Sequence, residues 1–309
     1  MARLDKRPEK CQCQAMVANK LEELRARLRS YGSCLVAYSG GVDSAFLARV
    51  AHEVLGGKFL AVIADSPSLP RRELAGALAV AEQFAFPVRV VATQEFENGL
   101  YTANPVNRCY FCKHELFEVL TPIARAEQLA VIAYGENASD AGDFRPGARA
   151  AAEFQVRAPL KEVGLTKTEI REWSAQLGLP TAEKPQLACL SSRVPHGEPV
   201  TPEKLRMIEA AENLLRDLGF HEVRVRHHEL GPKPEVQSPK SDNGAVRFSP
   251  CLARIELGPL EIRRFLEAGI STKVGEALRG MGYAHVTLDL EGYRRAGGPV
   301  KLSARNGFR

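Results

Sequence analysis

Two groups of residues in this 309-residue chain have the types and spacing that chemistry requires. The first is Ser39-Gly40-Gly41-Val42-Asp43-Ser44, which follows the apolar run Cys34-Leu35-Val36-Ala37-Tyr38 and precedes a helical pattern. A glycine turn and a helix start aim their backbone N–H groups at one spot there, which is where an anion sits. Two glycines let the backbone approach a phosphate, and Ser39 and Ser44 add hydroxyl donors. Asp43 in the first turn suits the helix dipole and can help hold Mg2+ beside the phosphates. A Walker-type loop would end in Gly-Lys-Ser/Thr, and no lysine stands here. Gly-Gly alone would be an ordinary strand-to-helix turn; the whole hexapeptide points to a phosphate site.

The second group is made of thiols. Cys109-Tyr110-Phe111-Cys112 is expected in a loop just before a helix, and Cys189 stands in Ala188-Cys189-Leu190-Ser191-Ser192-Arg193. If the two loops converge, three thiols meet near one sheet edge. Three readings stay open: a zinc site completed by His114, His196, His227 or His228, a redox pair, or three ligands of a [4Fe–4S] cluster. A cluster with one iron free of protein could bind an extra sulfide. Arg193, beside Cys189, can lower a thiol pKa or grip phosphate, and Ser191 and Ser192 can donate hydrogen bonds. Cys11 and Cys13 read as incidental tail thiols, and Cys34 and Cys251 as small core residues.

These residues need elements to position them. The patterning predicts a charged helix over 15–29, a buried strand over 34–38, and a helix over 43–55 that stops at Gly56-Gly57. Strand 58–64, helix 70–84, strand 87–92, helix 112–127 and strand 129–134 follow. The alternation implies a doubly wound parallel sheet of the α/β class. Asp65-Ser66 then falls at the carboxyl edge, where ligands bind, although an Asp after a strand is also a good turn residue. Thr166-Lys167-Thr168-Glu169 is a capping box opening a helix over 166–177. From about 190–200 the character changes to a small α+β unit. It has a helix from Pro202 to about Asp217, strands over 221–227, 251–257 and 284–290, and helices near 260–268 and 273–280. Arg224 and Arg226 alternate along one strand and so share a face; guanidinium forks suit phosphate and carboxylate. Glu256 on the neighbouring strand could orient an arginine or bind a metal. Residues 231–249 read as a long surface loop.

Composition sets the bounds. With 45% hydrophobic and 26% charged residues the chain is globular, and no apolar run approaches the roughly 18 residues of a membrane span and no signal-peptide pattern stands in it, so a cytoplasmic protein without a membrane span is expected. The net charge is +5, but residues 1–30 carry eight Lys and Arg against four acids, and residues 292–309 carry five and no acid. The body between them is therefore net acidic, which argues against a nucleic-acid partner. Seven cysteines without an export signal imply reduced thiols rather than a disulfide framework.

The hexapeptide resembles the SGGxDS signature of the PP-loop ATP pyrophosphatases, whose fold is like that of the adenine nucleotide alpha hydrolases. These enzymes split ATP between the α and β phosphates and adenylate a substrate. Together with Asn107–Lys113, Gly135–Asp140, Asp143–Gly147, Ala188–Arg193 and Arg224–His228, it resembles one family within them, the ATP-dependent sulfur transferases of nickel-pincer nucleotide biosynthesis (LarE), which serve lactate racemase maturation. The likeness covers about residues 31–291. It implies a domain over 31–195 and a substrate-binding domain over 196–291, flanked by basic ends at 1–30 and 292–309.

The resemblance also implies the chemistry. ATP with Mg2+ would adenylate each carboxylate of pyridinium-3,5-biscarboxylic acid mononucleotide, and sulfur would displace AMP. Ser39, Gly40, Gly41, Asp43, Ser44, Asp65, Gly135 and Asp140 would hold the nucleotide. Tyr110, Ser192, Arg224, Arg226 and Glu256 would meet the substrate, with Cys189, Asp43 and Arg193 acting in catalysis. Cys109, Cys112 and Cys189 together favour the members that carry a [4Fe–4S] cluster over those that sacrifice the sulfur of one cysteine. A sulfide or other sulfur donor and a homo-oligomer, a hexamer in the family, are implied as partners. A tRNA-thiolating enzyme and a nucleotide-sensing or zinc-bearing module are the alternatives.

Overall fold

The computed structural model of the protein describes residues 9–140, 146–185, 188–231, 250–267 and 269–294, with side chains from Asn19 onward. The expected loop at 231–249 lies, beyond its first residue, outside the described residues, as does the Asp143–Arg145 part of one family segment. The chain divides into two units: residues 1–192 with 196–205, and residues 193–195 with 206–309.

In the first unit the helices are α1 (Glu9–Tyr31), α2 (Val42–Leu55), α3 (Arg71–Gln83), α4 (Gly99–Thr102), α5 (Arg108–Ala126), α6 (Pro146–Glu153), α7 (Pro159–Glu162) and α8 (Lys167–Gln176). Its strands are β1 (Cys34–Ala37), β2 (Phe59–Asp65), β3 (Val88–Ala92) and β4 (Val131–Tyr134), all parallel in the order β3-β2-β1-β4. Successive strand residues face opposite sides, so each strand feeds two cores. Cys34, Val36, Ala61 and Ile63 pack in a cluster with α2 and the Leu21, Leu24 and Leu28 stripe of α1. Leu35, Ala37 and Val62 pack in another with Phe117, Leu120 and Ala124 of α5 and Ala150 and Ala151 of α6. Helices on both faces of a parallel sheet make the expected doubly wound α/β fold. The order reverses between β1 and β4, so the loops after these two strands flank the switch point where such sheets bind ligands.

The structure corrects several boundaries. The Cys109–Cys112 segment is not in a loop ahead of a helix but forms the first turn of α5, which starts at Arg108. Strand β2 runs one residue further than expected and ends on Asp65 itself. Helices α4, α6 and α7 were not expected; α4 and α7 are only four residues long, and α6 is an alanine-rich turn pair without a distinctive stripe.

The second unit contains most of α9 (Pro202–Asp217), then β5 (Val223–Glu229), β6 (Cys251–Leu257), α10 (Ile262–Phe265), α11 (Ile270–Gly280) and β7 (His285–Leu288). β5 pairs antiparallel with β6, and β7 parallel with β6. Val223, Val225, Ala253 and Ile255 pack on Ala211 and Leu215 of α9 and on Val274 and Leu278 of α11. By alternation, Arg224, Arg226, Arg254 and Glu256 take the opposite face.

Candidate active site

β1 delivers the chain into the phosphate loop, and α2 takes it away with Gly41 as N-cap. The loop is tied by its own serines: the Ser39 N–H donates to Ser44 Oγ at 3.1 Å, the two hydroxyls are 3.0 Å apart, and Ser44 Oγ donates to the Gly41 carbonyl at 3.2 Å. Two glycines are sterically required. Gly40 has φ +67°, and a Cβ there would meet Ala77 Cβ of α3 at 2.5 Å. A Cβ on Gly135, after β4, would lie 2.9 Å from the Ser44 nitrogen and 3.1 Å from Asp43 Cβ. The loop after β4 thus presses against the first turn of α2, as a switch-point site needs.

Two lysines serve the loop that has none of its own. Lys184 Nζ donates to the Gly40 carbonyl at 3.0 Å and pairs with Glu73 at 2.7 Å. Lys167, the first residue of α8, donates from Nζ to Asp43 Oδ2 at 2.6 Å. Asp43 Oδ1 is buried and without a hydrogen-bond partner. An orphaned carboxylate oxygen beside a phosphate cradle suits a hard divalent cation such as Mg2+.

A cleft of about 260 Å3 opens from this loop, lined by Ser39, Gly41 and Asp43, by Tyr134 and Gly135, and by Lys113 of α5. Of the other expected nucleotide residues, Asp65 pairs with Arg71 at 2.6 Å at the carboxyl end of β2. Asp140 accepts from the Asn137 N–H at 3.1 Å and so orders the 135–140 loop. Ser139 Oγ of that loop accepts the Lys167 N–H at 3.0 Å, tying it to the start of α8.

Lys113, in the lining of the cleft, follows Cys112 directly in α5. Burial pushes the Cys112 thiol up to about 12, with added repulsion from Cys189 and Glu95. Burial also raises Cys109, again with a contribution from Cys189. Cys189 therefore lies near both, as convergence of the two segments requires. Among the described residues, no three His, Cys, Asp or Glu side chains meet as a single metal ion needs. The zinc reading gains no support from this: His227 lies in the second unit against the Tyr283 ring, and His114 pairs with Glu118. A four-iron cluster takes its thiolates on separate irons, so it does not require the three side chains to meet at one ion.

The segment carrying Cys189 is fixed by buried groups. Ser68 Oγ lies 2.6 Å from both the Tyr101 and Ser191 hydroxyls, and the latter two are 2.9 Å apart. The Leu190 N–H donates to the Ser68 carbonyl at 2.9 Å. Arg108, 3% exposed, donates to Asn104 Oδ1 and, at 3.0 Å, to the Ser191 carbonyl, and its Nη2 lies 4.0 Å from Cys189 Sγ.

Arg108 thus brings a guanidinium beside Cys189 that the sequence reading did not assign, while Arg193, 1% exposed, pairs with the fully buried Glu212 at 2.8 Å within the second unit. The Ser192 hydroxyl donates to the Cys189 carbonyl at 2.7 Å. Tyr110 gives its hydroxyl to Glu153 at 2.8 Å and lies under the Arg149 guanidinium.

In the second unit Glu256 collects three arginines: Arg224 at 3.1 Å, Arg226 at 2.7 Å and Arg254 at 3.0 Å. Burial alone would raise the Glu256 carboxyl, but Arg226, Arg254 and Arg224 hold it below the usual range. Arg224 is sandwiched against the Tyr293 ring at 4.5 Å, and its Nε is buried without a partner. Of the two roles expected for Glu256, the structure gives it the orientation of arginines.

Sequence reasoning missed Lys167, Lys184, Arg108, Glu95, Ser68 and Tyr101. Lys167 had a signal, since the capping box fixes it at a helix start, and Arg108 adjoins Cys109. Glu95, 3% exposed and with Oε2 unpartnered, had none.

The NAD synthase family model matches residues 15–104, which contain the phosphate loop. The chain is 42% identical over 279 residues to an uncharacterised protein of Synechocystis, covering 90% of this chain and 96% of that one. It is 32% identical over 281 residues to the pyridinium-3,5-bisthiocarboxylic acid mononucleotide synthase of Lactiplantibacillus plantarum, covering 91% and 94%. To one subunit of the glutamine-hydrolysing GMP synthase of Methanopyrus kandleri it is 26% identical over 227 residues, covering 65% and 68%.

Proposed function

Since the chain belongs to the family of the pyridinium-3,5-bisthiocarboxylic acid mononucleotide synthase, an ATP-dependent transferase family with a PP-loop, we propose that it puts sulfur into the carboxylates of a pyridinium mononucleotide. A carboxylate oxygen of pyridinium-3,5-biscarboxylic acid mononucleotide attacks the α phosphorus of ATP and expels pyrophosphate. A sulfide equivalent then attacks the acyl carbon of the adenylate, AMP leaves with the bonding pair, and a thiocarboxylate remains. Adenylation is needed because a carboxylate oxygen is otherwise too poor a leaving group.

The observation that carries this reading is a cleft that starts at the phosphate loop and ends at Lys113, the neighbour of Cys112, within one unit. Ser39, Gly40, Gly41 and Ser44 would bind the phosphates, and Asp43 would hold Mg2+ through its unpartnered oxygen. Gly135 lets the β4 loop close on them, with Asp140 ordering that loop and Asp65 at the nucleotide edge. Arg108 and the Ser68–Tyr101–Ser191 hydroxyls hold Cys189 in place, so that sulfur arrives at a fixed position. Cys109, Cys112 and Cys189 would hold the [4Fe–4S] cluster, which when bound supplies an iron free to carry sulfide. Arg224 and Arg226, oriented by Glu256, would take the phosphate or carboxylate of the substrate, with Tyr110 and Ser192 further candidates for contact. A sulfur donor and a homo-oligomeric, hexameric state complete the proposal.

The test is anaerobic purification with iron and sulfide analysis, followed by turnover with ATP and the pyridinium substrate. Fe–S absorbance lost in Cys109→Ala, Cys112→Ala and Cys189→Ala, with AMP and pyrophosphate released only when substrate is present, is expected. An iron-free protein after competent reconstitution would remove the cluster; loss of one hydrogen sulfide from Cys189 would replace it with sacrifice of that cysteine.

A further inference from the structure

The turn that follows β7 folds back over Arg224. Asp289 opens it: its Oδ1 accepts the Glu291 N–H at 2.9 Å, and its carbonyl accepts the Gly292 N–H at 3.1 Å. Gly292 takes φ +71°, and a Cβ there would lie 2.8 Å from the Leu257 carbonyl oxygen, so the bend calls for glycine. The Tyr293 N–H then donates to that same carbonyl at 2.7 Å. Leu257 follows Glu256 at the end of β6, and Glu256 is the cross-strand partner of Arg224. The bend thereby sets the Tyr293 ring on the Arg224 guanidinium, 4.5 Å from its carbon. Resting on the reading of Arg224 as a substrate contact, we propose that Tyr293 is a positioning residue that acts through Arg224, holding the guanidinium ready for an oxyanion of the substrate without neutralising it.

The geometry separates this contact from ordinary packing. A ring holds a guanidinium by its face and leaves the in-plane N–H donors to other partners. Arg224 Nη1 donates to Glu256 Oε2 and to the Arg294 carbonyl, both at 3.1 Å, whereas Nε is buried without an acceptor. With Arg224 only 4% exposed, that donor is cut off from bulk water, and an oxyanion is the partner it lacks.

Charge points the same way. Glu256 is shared by Arg224, Arg226 and Arg254, and Asp289 reaches Arg254 at 3.5 Å, so the guanidiniums outnumber the carboxylates on this face. Burial, then Arg254 and Arg226, hold the His228 imidazole below its usual range against the pull of Glu256, as a net positive face requires. An acidic residue in place of Tyr293 would fix Arg224 equally well but cancel its charge. A neutral ring fixes it and keeps the charge for the ligand.

The experiment compares the full chain with Tyr293→Leu, which keeps apolar bulk without a π face, and Tyr293→Phe, which keeps the face. Arg224→Met is added alone and combined with Tyr293→Leu. Calorimetric titration with the pyridinium dicarboxylate mononucleotide should show roughly 10-fold weaker binding in Tyr293→Leu and recovery to within about 2-fold in Tyr293→Phe, the size of a desolvated cation–π contact. In turnover the substrate KM should rise by the same factor, with kcat and the KM for ATP within about 2-fold of wild type, a split that partial unfolding does not produce. With Arg224→Met in place, Tyr293→Leu should weaken binding by no more than about 2-fold further, since no guanidinium is left to position. Inorganic phosphate and pyridine-3,5-dicarboxylate, titrated separately, identify the oxyanion: the one seated on Arg224 loses affinity in Tyr293→Leu. Unchanged binding of all three ligands in Tyr293→Leu, equal losses for ATP and the pyridinium substrate, or an undiminished loss on top of Arg224→Met overturns the proposal. A wild-type protein that binds the mononucleotide but releases no AMP overturns the sulfur-transfer reading instead, and the titrations still decide the role of Tyr293.

Discussion

At the residue scale, the guanidinium that matters for Cys189 is the one the chain order hides. Arg193 is four residues from Cys189 yet buried against Glu212, whereas Arg108 is 81 residues away and touches the Cys189 segment through the Ser191 carbonyl. The phosphate loop was legible because its chemistry is local: hydroxyls, glycines and a helix start lie within six residues. Arg108 was not, because its partner arrives through tertiary folding. Arg108→Ala should cost about 2 kcal/mol of stability, since it strips a buried donor from Asn104 and Ser191. It should also slow sulfur transfer roughly 100-fold by loosening Cys189, with adenylation much less affected; equal slowing of both steps would contradict a positioning role.

The thiols give a second expectation. Burial, then Cys189 and Glu95, raises Cys112 to about 12, so in the apo protein its thiolate is scarce at neutral pH. The rate of alkylation by iodoacetamide should rise about tenfold per pH unit well past pH 9, where an ordinary thiol levels off. Mass spectrometry of the Cys112 peptide reads this, and a plateau near pH 9 would contradict it.

At the element scale, strand–helix alternation revealed the sheet, because buried parallel strands are short apolar runs and the helices between them are striped. The start of α5 was missed since Cys-Tyr-Phe-Cys is poor in strong helix formers, and Asn107 at its N-cap makes no side-chain cap bond. The approach of the β4 loop to α2 was also invisible, because a close contact between elements leaves only a glycine in the sequence. Gly135→Ala should push Ser44 and raise the KM for ATP about tenfold, at a cost of about 1–3 kcal/mol. Gly76→Ala on α3, where a Cβ meets nothing within 4 Å, should instead stabilise by about 0.5–1 kcal/mol. Comparable losses in both variants would show that Gly135 is not a packing constraint.

The β5–β6 ladder supports a further expectation. Glu256 pairs with three guanidiniums from a site 2% exposed. Glu256→Gln should destabilise the second unit by about 3 kcal/mol, read from urea unfolding. Its folded carboxyl titrates below the usual range, so this contribution is present above the unfolded carboxyl pKa and is lost as pH falls through the folded one. The difference between wild type and variant should therefore shrink in acid, and a gap independent of pH would contradict the assignment.

At the scale of the whole molecule, charge and chemistry separate. The +5 of the chain comes from its two ends, whereas the fold places single cations one by one: Lys167 on Asp43, Arg108 at Cys189, and the arginines on Glu256. Among the described residues no helix is long and apolar enough to cross a membrane. α9 crosses the division between the two units, since its first turn belongs with the first unit. Helical periodicity runs through such a boundary without a mark.

The central claim is that ATP cleavage at one end of the cleft drives sulfur onto a carboxylate delivered to it. One anaerobic turnover, with reconstituted protein, Mg2+, ATP, sulfide and the pyridinium dicarboxylate, analysed by mass spectrometry, tests this most directly. The account predicts one AMP for each oxygen replaced by sulfur, with neither product formed without the substrate. Intact ATP, or AMP formed with no thiocarboxylate beside it, would contradict it.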